Sequence, residues 1–229
     1  MRNTTRHLLV SSNLAGNLDA LNQLITVARE SNVDAILLTG NLTAKQDGVK
    51  GYRELFKMLA HANLPSFYIP GPNDFPVQPY LFETASIEVV FPYLHGVHGT
   101  FAFAPGHILV CGMGGEIIDA AETEREEKQA LRYPGWEAVY RLKFLQEMRD
   151  YPKIFLFTTP PAHKGFRQAG SESIAELIGT YKPRLAVAEG KEFRKEWIGH
   201  SLIVIPGHLS EGNYALVNWE EQQAESRKL

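Results

Sequence analysis

The chain has 229 residues, a formal net charge of −3, 44% hydrophobic and 21% charged residues, one cysteine and eight histidines. That length suits one domain with a full core, and the charge balance excludes a global basic field for nucleic acid or an anionic membrane. Cys111 alone makes no intramolecular disulfide, Cys-rich zinc site or C-x-x-C pair, which fits a reducing cytosol and sets the expectation of a cytoplasmic protein.

No run reaches the roughly 18–20 apolar residues that span a bilayer, and the apolar run before Ser11 is too short for a signal-peptide core. Residues 8–12 read instead as a buried first strand, broken at Asn13-Leu14-Ala15-Gly16-Asn17. Leu18, Leu21, Leu24, Ile25 and Ala28 then follow at helical spacing. Residues 34–39 predict a second strand ending at Gly40-Asn41, Tyr52 to Ala60 a second helix, and 66–69 a third strand ending at Gly71-Pro72-Asn73-Asp74. Alternating strands and helices with continuous apolar strands indicate a parallel sheet with helices on its faces.

The middle of the chain changes character. Residues 87–90, 100–104 and 108–112 predict short strands in antiparallel pairs, and Gly112-Met113-Gly114-Gly115 a tight turn. The acidic stretch 116–128 reads as a solvated loop or helix start, and 136–148 as a broadly apolar helix. Segment 116–150 is long for a connection, so it either caps a cleft or packs against another subunit, with plain core packing as the competing reading. Strands are expected at 153–158, 185–188, 202–205 and 214–219, with a helix at 171–180 capped by Ser171 and a charged tail at the end.

In open α/β sheets ligands bind at the carboxyl ends of strands. Five strands here end in polar or Gly-rich loops: 13–17, 40–41, 71–74, 158–161 and 189–191. Their order and spacing resemble the calcineurin-like metallophosphoesterases, in particular the small bacterial phosphodiesterase-like branch. That family reads Asp-x-His-Gly-Asn, Gly-Asp, Gly-Asn-His-Asp/Glu, a His before a Pro pair, and Gly-His-x-His in these loops. The resemblance covers nearly the whole chain, including the Ile205-Pro206-Gly207 turn and the strand around Tyr214. It implies a single domain over 1–229 with an α/β, four-layer αββα sandwich of mixed sheets.

The resemblance also implies a binuclear metal centre, and the metal-ligand positions depart from it. The first Asp corresponds to Asn13 and its His partner to Ala15; the bridging Asp corresponds to Asn41. The Asn ligand falls on Pro72, the catalytic His on Asn73, and the later histidines on Thr158, Lys191 and Phe193; Asp74 alone is retained. Two divalent cations need anionic oxygens and imidazoles, and neutral amides and a lysine are poor substitutes. Loss of the centre removes the activated hydroxide, and Asn73 cannot act as a general acid near neutral pH.

The leading expectation is a metallophosphoesterase-fold protein without the binuclear centre. Its cleft, formed by Asn13, Asn41, Asn73, Asp74, Thr158 and Lys191, with Lys164 in reach, would bind phosphate or a nucleotide. One alternative is an active phosphoesterase in which Mn, Fe or Zn is held by Asp74 with His163 or His208, or a single metal by a His together with Asp74 and Glu189. Another is a structural protein, such as a homo-oligomer, with no ligand. Neither nucleic acid nor membrane is an expected partner.

Overall fold

The computed structural model describes residues 4–119, 130–166 and 170–229. Among the described residues, fourteen strands form two six-stranded mixed sheets and a small two-stranded one, with five α-helices. The first sheet has the order β14-β13-β1-β2-β3-β4, formed by Gln223–Lys228, Asn213–Asn218, His7–Ser12, Ala35–Thr39, Ser66–Ile69 and Leu94–Gly96. The second has the order β11-β12-β10-β9-β6-β5, formed by Arg194–Ile198, Ser201–Ile205, Leu185–Val187, Lys153–Phe157, Ile108–Met113 and Phe101–Ala104. β7 (Glu116–Ile118) pairs with β8 (Arg132–Pro134).

The central strands are apolar on both faces, and their alternation divides them between two cores. Leu8, Val10, Leu37, Ile154, Leu156, Leu202 and Val204 meet in one cluster between the sheets. Their neighbours Leu9, Leu38, Phe155, Phe157, Ile203 and Ile205 belong to the other cluster, with the helices. A strand buried on both sides has to sit between two layers, so the period-2 split produces the αββα order. Each fully buried Leu, Ile or Phe contributes about 1.5–3 kcal/mol.

The helices supply the outer layers. α1 (Leu18–Glu30) buries Ala20, Leu21, Leu24, Ile25 and Ala28, one stripe at 3–4 residue spacing. Its N-cap is Asn17, whose side chain accepts from the Ala20 amide. α2 (Gly48–Ala62) ends at Asn63 in the left-handed conformation. α5 (Glu172–Tyr181) starts at Ser171, whose hydroxyl accepts from the Ile174 amide, as its sequence position predicts.

Three expectations are corrected. Residues 87–90 are not a strand but the last turn of α3 (Val77–Val90). Their β-branched composition points to a strand, but the turns before them bury Val77, Tyr80, Glu83 and Thr84 on one helical face, and that packing prevails over local propensity. The charged tail is β14, an edge strand zipped antiparallel to β13 from Asn213–Lys228 to Asn218–Gln223. Its exposed charges face water on an unpaired edge, where they discourage further pairing. The apolar stretch 136–148 is a short α4 (Gly135–Arg141) followed by a 3₁₀ turn, Lys143–Gln146. Most of the acidic stretch 116–128 lies outside the described residues, and its first three form β7. In the described part of 116–150, Leu131, Tyr133, Ala138, Leu142 and Leu145 are buried in the core, while Trp136 and Tyr140 are exposed.

Candidate active-site cleft

Parallel pairing of β1, β2 and β3, and of β9, β10 and β12, points six carboxyl ends the same way within each sheet. The loops that follow are stitched together by backbone hydrogen bonds. Asn13 N–H donates to Thr39 O, Ala15 N–H to Asn41 O, Gly40 N–H to Ile69 O and Ser210 N–H to Asn13 O. Asn13, Ala15 and Asn41 all hold positive φ, between 42° and 50°. That region is uncommon outside glycine, though asparagine tolerates it.

Asp74 pins two of these loops. One carboxylate oxygen accepts from the amides of Gly71 at 2.7 Å and Leu42 at 2.8 Å, and the other from the Thr43 amide at 3.2 Å and hydroxyl at 3.4 Å. Burial raises its pKa, and the three amides act against that. Both oxygens are occupied from within, so Asp74 acts as a brace for the loops after β2 and β3.

Asn41 is also committed. Its Oδ1 accepts from the Asn73 amide at 2.9 Å and its Nδ2 donates to Glu189 Oε1 at 3.2 Å. Glu189, after β10, closes over Gly40: a Cβ added there would lie 2.4 Å from Glu189 Oε2 and 2.7 Å from Thr158 Cγ2. Desolvation, with the negative charge of Asp74 second, raises the Glu189 carboxyl to about 8. His208 Nε2 lies 3.9 Å from Glu189 Oε1. Burial lowers the His208 pKa, and Lys191 lowers it further against the opposing pull of Glu211. Burial thus favours the uncharged form of both partners, a carboxylic acid beside a neutral imidazole.

The remaining site residues separate. The buried Thr158 hydroxyl donates to Gly115 O. Asn73 and Lys191 are exposed and Asn13 is half-buried at the rim. His163 is held in its own loop: its Nδ1 accepts from Gly165 N–H at 3.2 Å and its ring packs edge-on against Phe166. Lys164 is exposed in that loop. Phe193 packs against the core between the sheets. Glu189, named at first only for a single-metal site, joins the loops of the two sheets through Asn41, alongside the backbone bond from Ser210 to Asn13. Its sequence signal is a carboxylate just past a buried strand.

Among the described residues, no group of three or more His, Cys, Asp or Glu side chains is placed to hold a metal ion. The donors present are a poor match for a binuclear centre: Asp74 and Asn41 spend their oxygens on backbone amides, and Glu189 is favoured in its neutral form.

A two-sheet sandwich with loops gathered at the carboxyl ends of β1, β2, β3, β9 and β10 is the architecture of a metallophosphoesterase. The sequence profile of the metallophosphoesterase, calcineurin superfamily matches residues 43–229, and the chain belongs to that family. The crystal structure of the Thermus thermophilus protein TT1561 is similar at 46% identity and a TM-score of 0.94, over 98% of this chain and 99% of that one. At the level of fold alone, a dimetal phosphatase from Danio rerio is similar, with 8% identity, a TM-score of 0.64 and coverage of 98% and 96%. A novel archaeal phosphodiesterase matches with 10% identity, a TM-score of 0.56 and coverage of 97% and 99%. No curated protein matches the chain. None of the described helices is long and apolar enough to cross a membrane.

Proposed function

We propose that this chain is a metallophosphoesterase-fold protein that has given up the binuclear metal centre and uses the cleft to bind a small phosphate-containing ligand, such as phosphate or a nucleotide. The observation that carries this reading is the bonding of Asn41. A bridging carboxylate at that position would hold two cations; here a neutral amide spans from the Asn73 backbone to the Glu189 carboxyl. A lattice of internal hydrogen bonds replaces the coordination shell, with no excess of negative charge to attract cations.

The rim carries the recognition. Asn13 and Asn73 offer side-chain amides, and Lys191 offers a cation close enough to influence His208. These donors suit a phosphate oxyanion held by hydrogen bonds and one charge. The first turn of α1 adds less than its position suggests, because Asn17 already caps the Ala20 amide.

Elemental analysis of protein purified without chelator tests the loss of metal. The expected result is no stoichiometric Mn, Fe or Zn and no turnover of bis-p-nitrophenyl phosphate; one or two ions per chain would overturn the reading. Thermal shift with phosphate or a cyclic nucleotide tests the binding. The expected result is a stabilisation that disappears in Lys191→Ala; its absence from the wild-type protein would leave the cleft as a structural relic.

A further inference from the structure

The strongest unassigned feature lies at the other end of the second sheet. β9, β10 and β12 run parallel, so their amino ends gather about five residues, or roughly 17 Å, from the cleft loops. Between those ends, the end of α5 and the turn after β13 lies a hollow of about 690 Å³. That is within the range of small-molecule sites, about 300–1,000 Å³. Arg149, Lys153, Lys182, Arg184 and His200 line it, and none of its described lining residues is acidic. In a chain of net charge −3, this is a local reversal of sign.

Two of the four Lys and Arg side chains are fixed by the fold. Lys153, only 4% exposed, donates two of its three N–H bonds to Arg149 O at 2.8 Å and Tyr151 O at 2.7 Å. Arg184 donates Nε to Trp219 O at 2.9 Å and Nη2 to Glu220 O, with its guanidinium over the Trp219 ring. Gln222 braces the same wall by donating to Arg184 O and His200 O. These bonds satisfy carbonyls without neutralising charge, because carbonyl oxygens carry no net charge. Two acids outside the lining offset it only in part: Asp150 acts on Lys153, and the Glu220 carboxylate pairs with Arg6 at 3.2 Å. Arg149, Lys182 and His200 are exposed around the mouth. Lys182 is held there in the left-handed conformation that terminates α5.

We propose that this hollow is a second binding site, for a small molecule carrying two or more phosphate groups. Two fixed cations in one concave, partly desolvated wall, with Arg149 and Lys182 at its mouth, match closely spaced anionic oxygens better than a single carboxylate. Burial pulls the Lys153 ammonium below its ordinary pKa, and an anion in the hollow relieves that cost. The site is separate from the cleft and does not depend on the reading of the cleft given above.

The test is calorimetric titration of the full chain with sodium tripolyphosphate, at low and at high salt. The Lys191→Ala background removes any contribution from the cleft. The expected result is one-site binding that weakens with salt and falls about tenfold or more in Arg149→Gln/Lys182→Gln. The exposed Lys57→Gln on α2 serves as the control and should bind like its parent. Absence of binding, equal binding in the double variant, or loss of binding in Lys191→Ala alone would overturn the site. If the double variant does not fold, the His200 ring resonance of the wild-type protein decides. It moves on titration if the hollow is occupied, and its standing still refutes the proposal. Tighter binding of a short single-stranded oligonucleotide than of tripolyphosphate would overturn the small-molecule assignment.

Discussion

Asn41 Nδ2 donates to Glu189 Oε1 across the gap between the two sheets, at 3.2 Å. Asn41 follows β2 of the first sheet and Glu189 follows β10 of the second, so this bond ties the two sheets together at the end where the loops gather. An Asn41→Asp variant replaces the donor with an oxygen and sets two carboxyl groups against each other in a buried site. Only one of them ionises readily. The variant should lose about 3 kcal/mol of stability above neutral pH and much less under mild acid, as read by urea unfolding. MnCl₂ should raise its melting temperature more than that of the wild-type protein, because a cation compensates the new charge. Equal stability at both pH values would remove the strut from the account.

Glu189 gives the protein a pH dependence of definite sign. Its carboxyl has a pKa of about 8 when folded, against an ordinary value of 4.5. The folded state therefore holds the proton more tightly than the unfolded state. The resulting stability is fully present below about 4.5 and is lost as pH rises through about 8. Between those values this group contributes a slope of about −1.4 kcal/mol per pH unit. Glu189→Gln mimics the protonated form and still accepts from Asn41. It should match the wild-type protein near the acid end and exceed it at pH 8. Parallel unfolding curves for the two proteins across that window would contradict the assignment.

Every contact at Asp74 is a donor pointing at a carboxylate oxygen. Asp74→Asn turns one oxygen into an NH₂ group that faces N–H donors and leaves at least one of them unpaired. The expected cost is about 3 kcal/mol, measured by denaturant unfolding. Asp74→Ala should cost at least as much. A neutral outcome for Asp74→Asn would show that the loops after β2 and β3 hold themselves.

Gly71 permits the Asn41 loop to lie against it. A Cβ there would stand 2.0 Å from Asn41 N and 2.4 Å from Asn41 Oδ1, and the first of these is backbone that cannot swing aside. Gly71→Ala should destabilise the protein by about 2–3 kcal/mol and also weaken phosphate binding in the cleft. Gly179→Ala, where nothing lies within 4 Å of an added Cβ on α5, should be neutral or slightly stabilising in the same thermal melt.

Much of the frame could be read from the residues in order. β1, β2, β3, β9 and β12 are continuous apolar runs with Gly, Pro or Asn at their ends, and α1 carries both its stripe and its cap. α3 and β14 could not be read this way. α3 buries Glu83 and Thr84 beside Val77 and Tyr80 and leaves Phe82 and Val89 exposed, so no clean 3.6-residue stripe marks it. β14 is Gln-Ala-Glu-Ser-Arg-Lys, a polar strand that exists because β13 offers it an edge. The identities at Asn13, Ala15, Asn41 and Asn73 were visible before any fold.

The sequence by itself determined the layers and the loops that gather at the strand ends, because periodicity and residue type are local properties. Only the tertiary structure decided which polar groups partner one another. Glu189 meets Asn41 and His208 through the packing of one sheet on another, while His163 turns back to Gly165. The basic hollow likewise draws on residues from 149 to 222 that share no motif. Hydrogen bonding and desolvation depend on what lies within a few ångströms, and chain order does not specify that distance for groups on different sheets.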